Sequence, residues 1–213
     1  MNGKTFSREI TSPIDLIQDE QTPARNHLQH KTVALTTQQI SELQNICETI
    51  TASLETALAS RDWWPLTMHW ALAGKVPTRA AAICRPTSTE QVSHVLSYCN
   101  EKRIPVTAAG GRSGVCGASI PLYGGVILDT TAMQGVVALD DESLTVEVLP
   151  GTFGPDLEAH IQSLGFTVGH YPQSFDIATV GGWVACRGAG QYSTRYGKIE
   201  DMVVALEVVL ADG

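Results

Sequence analysis

The stretch Pro105 to Ser119, PVTAAGGRSGVCGAS, decides how this chain is read. It lies between two runs with strand character, Pro105 to Thr107 and GGVILDT from Gly124 to Thr130. A tight hairpin needs only about two to five loop residues, so the length asks for another purpose. A Rossmann dinucleotide loop would open directly into a helix, because the pyrophosphate sits on the helix N-terminus. Here ASIPLYGGVILDT follows, with Pro121 and two glycines leading into a strand, and the loop itself holds no Gly-Lys-Ser or Gly-Lys-Thr of a P-loop. What remains is a strand-loop-strand whose successive N–H groups can curl into an anion-binding nest. Glycines remove the Cβ and permit positive φ, while Arg112 and Ser113 could add a charge and a hydroxyl donor. A plain surface loop would satisfy the same glycines.

Outward from the loop, short strands and helices alternate. AAAICRP, from Ala80 to Pro86, reads as a buried strand. Thr87 and Glu90 have capping-box spacing, and Val92, Val95, Leu96 and Cys99 line one helix face, with His94 beside it. GVVALD (135–140) and LTVEVLP (144–150) read as a hairpin closed by the acidic turn DDES. A helix follows from Gly154-Pro155 to Gly165, with Leu157, Ile161, Leu164 and a core His160 facing inward. A second glycine-rich region runs from Gly169 and ends in a long strand. Thr179-Val180-Gly181-Gly182 stands where a short helix would begin, so a second backbone-led phosphate contact is expected. Two such loops on opposite sides suit a diphosphate ligand lying between two lobes.

Residues 1 to 35 lack apolar periodicity and read as a flexible or loosely docked arm. Ile40, Leu43, Cys47, Ile50, Leu54 and Ala57 then form one apolar stripe of a packing helix. Trp63, Trp64 and Trp70 suit packing of this helix on the next domain, or else an aromatic binding surface. The net charge of -8 and the lack of any dense Lys/Arg run argue against nucleic acid. No stretch approaches the roughly 18 apolar residues of a membrane span, so the cytoplasm is the expected location. Cys47, Cys84, Cys99, Cys116 and Cys186 show no CxxC pair, and the six histidines show no HxxxH or HExxH spacing. Neither a metal nor a disulfide framework is expected. The sequence stops at Asp212-Gly213, a hairpin turn pair with no returning strand. A fragment with an exposed strand edge is therefore expected.

Four ordered stretches, PVTAAGGRSGVCGAS, GHYPQS, ATVGGWVACRGAG and YGKIEDMVVALEVVLADG, resemble the FAD-binding domain of the vanillyl-alcohol oxidase and p-cresol methylhydroxylase (PCMH-type) superfamily, from Arg79 to Gly213. Within it they look most like alkylglycerone-phosphate synthase and its relatives, with D-lactate and glycolate dehydrogenases as the neighbouring branch. The resemblance implies an α+β fold: two α/β lobes over residues 75–213, preceded by a helical extension over 1–74, with the substrate domain absent. It maps the pyrophosphate loop onto Ala108, Ala109, Gly110, Gly111, Arg112, Ser113 and Gly114. Further flavin contacts fall on Pro172, Gln173, Ser174, Ala178 and Thr179, then on Cys186, Arg187, Gly188 and Ala189. Gly181, Gly182, Gly197 and Ile199 match places where backbone wraps the flavin.

Some relatives attach flavin through a histidine in an RSGGH loop; Cys116 stands there in this chain, so non-covalent FAD is expected. Cys116 and Cys186 themselves read as small packing residues. The resemblance implies a small-molecule substrate, an alcohol or 2-hydroxy acid delivering hydride to the flavin, and is compatible with a homo-oligomer. Acyl-for-alkyl exchange, as in the synthases, is the alternative, and FAD binding without catalysis is another. A diphosphate binder without flavin is the reading left if the motifs mislead. No catalytic residue is assigned; His170 is the best-placed base, ahead of Tyr171, Tyr192 and Tyr196.

Overall fold

The computed structural model describes residues 14–16, 24–29 and 31–213. Strand β1 (Arg25–Asn26) is followed by α1 (Thr37–Gln44), β2 (Glu48–Ile50), α2 (Ser53–Ala59), α3 (Pro65–Ala71) and β3 (Lys75–Val76). Next come β4 (Ala82–Arg85), α4 (Thr89–Lys102), β5 (Val106–Ala109), β6 (Val126–Asp129), β7 (Val136–Asp140) and β8 (Thr145–Val148). Helices α5 (Gly154–Ser163), α6 (Val180–Ala185), α7 (Ser193–Tyr196) and α8 (Ile199–Met202) complete the order, with single 3-10 turns at Thr130–Ala132 and Phe175–Ile177.

The first lobe is a sheet ordered β2-β4-β6-β5. Strands β4, β6 and β5 are parallel, and β2 adds antiparallel at the edge. Helix α4 carries the chain from β4 to β5, leaving room for β6 between them. Central β6 is buried along its whole length, as expected of a parallel strand covered on both faces. Val126 and Leu128 meet Leu43, Cys84, Val95 and Cys99 on the α1/α4 side, while Ile127 meets Ala59, Ile83 and Ala109 on the other.

The single apolar stripe from Ile40 to Ala57 is not one helix. Thr36 and Gln39 form a reciprocal cap for α1, which ends at Gln44. The β-branched Thr49 and Ile50 then pair with Cys84 and Ile83 in the sheet. Stiff β-branched side chains fit a pleated surface better than a helical turn. Helix α4 starts one residue later than its expected cap: Ser88 accepts from Gln91 N–H, and Gln91 accepts from Thr87 N–H.

The second lobe packs the β7-β8 hairpin and α5, α6 and α8 around Leu157, Ile161, Ala178, Trp183 and Ile199. Leu164 and His160, expected in this core, are exposed. The inward face instead takes Glu158, whose carboxylate accepts from Thr167 Oγ1 at 2.9 Å, Val168 N–H at 2.9 Å and Gly169 N–H at 3.3 Å. These bonds hold the turn that follows the helix.

The described part of the N-terminal arm is docked. Arg25–Asn26 pairs in parallel with β3, and Val33 bridges Gly124. The rest of the arm lies outside the described residues. Trp70 stacks on His27 of the arm at 4.1 Å and meets Trp64 edge-on at 5.5 Å. The expected C-terminal strand finds no sheet partner among the described residues: residues 203–210 have no regular secondary structure, and Val204, Leu206, Val208 and Leu210 are exposed. Thr89 bonds Glu207, and Ser93 bonds the Gly213 carbonyl, laying this segment along α4. No helix of the described residues is long and apolar enough to cross a membrane.

Candidate functional site

Ala109 ends β5 and Asp129 ends β6, so the glycine loop emerges at the carboxyl ends of parallel strands, where open α/β sheets bind ligands. The loop borders an open cleft of about 2650 Å³. Residues 173–174, 176–186 and 188–189 form the facing wall, and the β7-β8 hairpin and residues 203–209 complete it. Eighteen of the twenty residues expected to contact cofactor line this cleft; Arg187 and Gly197 do not. Arg187 turns outward to Glu200, with Nη2 3.0 Å from Oε1. Arg187, followed by Lys198, holds the Glu200 carboxyl down at about 2. Gly197 lies against Asp201 with φ +85°.

The two glycine regions also touch each other directly. A Cβ on Gly110 would lie 2.4 Å from Thr179 Oγ1, and one on Gly111 would lie 2.1 Å from the Ile177 carbonyl oxygen. Only glycine permits this approach. Thr179, as expected, caps α6, accepting from Gly182 N–H. The remaining donors at this helix start are already used, Val180 N–H on Thr152 O at 2.9 Å and Gly181 N–H on Pro150 O at 2.8 Å. The N–H groups of Val180, Gly181 and Gly182 are therefore not free for the expected phosphate contact. Glycine at 181 serves packing, since a Cβ would meet Pro150 at 2.8 Å.

The first loop is the opposite case. From Gly110 to Cys116, no backbone N–H finds an acceptor among the described residues, although Gly111 is buried. Buried backbone donors are nearly always paired, so a run of unpaired ones at the mouth of a cleft fits an anion. The Gly114 carbonyl is held by Trp63 N–H at 3.0 Å, a clamp from the N-terminal extension that no sequence pattern signalled. Arg112, expected to offer its charge to a phosphate, instead places Nη1 3.3 Å from Asp129 Oδ2. Asp129 went unnoticed in the sequence, although an acidic residue ending the apolar run VIL was a usable signal.

His170 does not line the cleft. It is 1% exposed, packed edge-on to Trp183 at 4.8 Å, and burial lowers its proton affinity. Neither ring nitrogen has a hydrogen-bond partner. It is packed in the core of this wall. Tyr171 stacks on Phe175 at 4.7 Å and meets Tyr192 edge-on, while Tyr196 does line the cleft. Cys116 and Cys186 are exposed on the cleft rather than packed, because both sit on its open rim. No group of three or more potential metal ligands comes together among the described residues.

The donor set fits FAD: unpaired N–H groups suit a diphosphate, and the cleft beyond them is large and lined by backbone and apolar side chains. Comparison with known proteins agrees. The family described as "FAD binding domain" matches residues 80–213. An uncharacterized FAD-linked oxidoreductase, YgcU, of Escherichia coli (strain K12) is 43% identical over 136 residues, covering 62% of this chain and 28% of that protein. Glycolate oxidase subunit GlcD of Bacillus subtilis (strain 168) is 34% identical over 132 residues, covering 62% and 28%. A solved alkyldihydroxyacetonephosphate synthase superposes with a TM-score of 0.80 at 25% identity, covering 90% of this chain and 38% of that one. The chain thus spans well under half the length of these relatives.

Proposed function

Since this chain belongs to the family of FAD-binding domains, we propose that it is the cofactor-holding part of an oxidoreductase acting on an alcohol or a 2-hydroxy acid. The run of unpaired backbone donors from Gly110 to Cys116 carries this reading. Those N–H groups would hold the diphosphate, and the missing Cβ atoms of Gly110 and Gly111 let the loop lock onto Ile177 and Thr179. Gln173, Ser174, Ala178, Gly188 and Ala189 would form the facing wall. FAD supplies a two-electron acceptor for the hydride of the substrate; the chain supplies binding, orientation and exclusion of water. Attachment would be non-covalent, since the histidine of the histidyl-linked loop is replaced by Cys116.

The test is an absorption spectrum of the purified chain after incubation with FAD and desalting. Retained flavin bands support the reading; colourless but folded protein counts against it. Acid precipitation that leaves the colour in the pellet would overturn non-covalent attachment. A second reading, acyl-for-alkyl exchange without net redox, draws on the 0.80 TM-score to the alkyldihydroxyacetonephosphate synthase. Anaerobic addition of 2-hydroxy acids to the longest reading frame separates the two. Bleaching of the flavin favours the oxidoreductase, and exchange without bleaching favours the second reading.

A further inference from the structure

We propose that Arg112 and Asp129 are positioning residues that shape the anion nest through the loop backbone, rather than by presenting the Arg112 charge to the ligand. This rests on the reading of Gly110 to Cys116 as the FAD diphosphate site. Between Gly110 and Cys116, Arg112 alone has a positive φ, at 54°, while Gly110, Gly111 and Gly114 do not use that freedom. A residue with a Cβ resists this conformation because the Cβ crowds a neighbouring carbonyl oxygen. Yet one left-handed residue among ordinary neighbours is what turns consecutive N–H groups toward one point. The turn of the nest therefore sits at a residue with a Cβ rather than at one of the three glycines beside it, and something must hold it there.

Asp129 is that hold. Its side chain is 2% exposed, and Oδ1 is fixed by Thr131 N–H at 2.9 Å and Thr131 Oγ1 at 2.6 Å. Oδ2 is left for Arg112 Nη1 at 3.3 Å, with Arg85 Nη2 at 3.9 Å behind it. The Arg112 side chain is itself only 12% exposed. Because Asp129 ends β6 and Arg112 lies just past β5, the pair fixes the loop to two adjacent strands. Pulling Arg112 away to a phosphate would leave a buried carboxylate undercompensated, which is costly.

The experiment titrates FAD against the full chain by flavin fluorescence, for wild type, R112A, R112G and D129N, with thermal melting of each protein before loading. R112A is expected to weaken FAD binding about tenfold or more, through a turn that has lost its tie but kept its Cβ. R112G should recover most of that loss, since glycine adopts the turn without help. D129N should fall with R112A. The ionic-strength dependence of FAD affinity should be the same in R112G as in wild type, because the lost charge does not face the ligand. R112G binding no better than R112A, or a shallower salt dependence once the arginine is gone, overturns the proposal. Should D129N fail to fold, the comparison of R112A with R112G decides alone. Wild type that binds FAD while R112G equals R112A defeats this inference only; folded wild type that binds none defeats the diphosphate site and this inference with it.

Discussion

The loop after β5 and the start of α6 look alike in sequence, each a pair of glycines beside small polar residues, and they do different work. At Gly110 to Cys116 the backbone donors are unpaired, and the glycines let the loop press onto Ile177 and Thr179. At Val180 to Gly182 the donors are bonded to Thr152, Pro150 and Thr179, and Gly181 only makes room for Pro150. Glycine content therefore does not report anion binding. The fate of each N–H does, and that depends on which carbonyls the rest of the fold brings near.

Substitutions at the paired glycines would break or sharpen this contrast. Gly111→Ala should have the largest effect, because its Cβ would sit 2.1 Å from the Ile177 carbonyl oxygen and 3.3 Å from Ala178 Cα, backbone atoms that cannot swing aside. A loss of about 3 kcal/mol or more in urea denaturation is expected, with loss of FAD binding. An unchanged midpoint would show that the two regions do not press together. Gly181→Ala should cost less, about 1–3 kcal/mol, since it meets Pro150 at 2.8 Å. Its FAD affinity per folded molecule should fall less than that of Gly111→Ala; an equal fall would mean that α6 contributes to the anion site after all.

The smallest effect concerns the wall behind α6. Burial holds His170 below its ordinary 6.5, so its folded form stays neutral while the unfolded chain takes up a proton. Stability should therefore drop as pH falls through about 6.5 and level off once the folded ring also titrates. Melting temperatures between about pH 7.5 and pH 5.5 should show this slope, and His170→Leu should flatten it. A slope untouched by that substitution would assign the pH dependence to other groups.

Much of this was legible from local pattern. The strand-helix-strand around α4, the hairpin, the start of α5 and the Thr179 cap all follow from spacing, because periodicity and capping act within a few residues. The exclusion of a Rossmann loop also needed only the residues after Gly114. Where patterns competed, local reading failed: the stripe through Cys47 and Ile50 has helical spacing, but pairing with β4 outweighed it. His160 and Leu164 also share the α5 stripe, yet contacts with residues 167–169 turned Glu158 inward instead.

By itself, the sequence determined that a glycine loop joins two strands and that four ordered motifs carry the family. Only the tertiary structure decided that β6 enters between β4 and β5, that Arg112 answers to Asp129, that the α6 donors are taken and that His170 is shut inside the wall. The reason is physical. Turns and caps are settled by neighbours along the chain, whereas the pairing of a buried charge or a backbone donor is settled by whatever distant group the fold delivers, and that choice leaves no spacing to read.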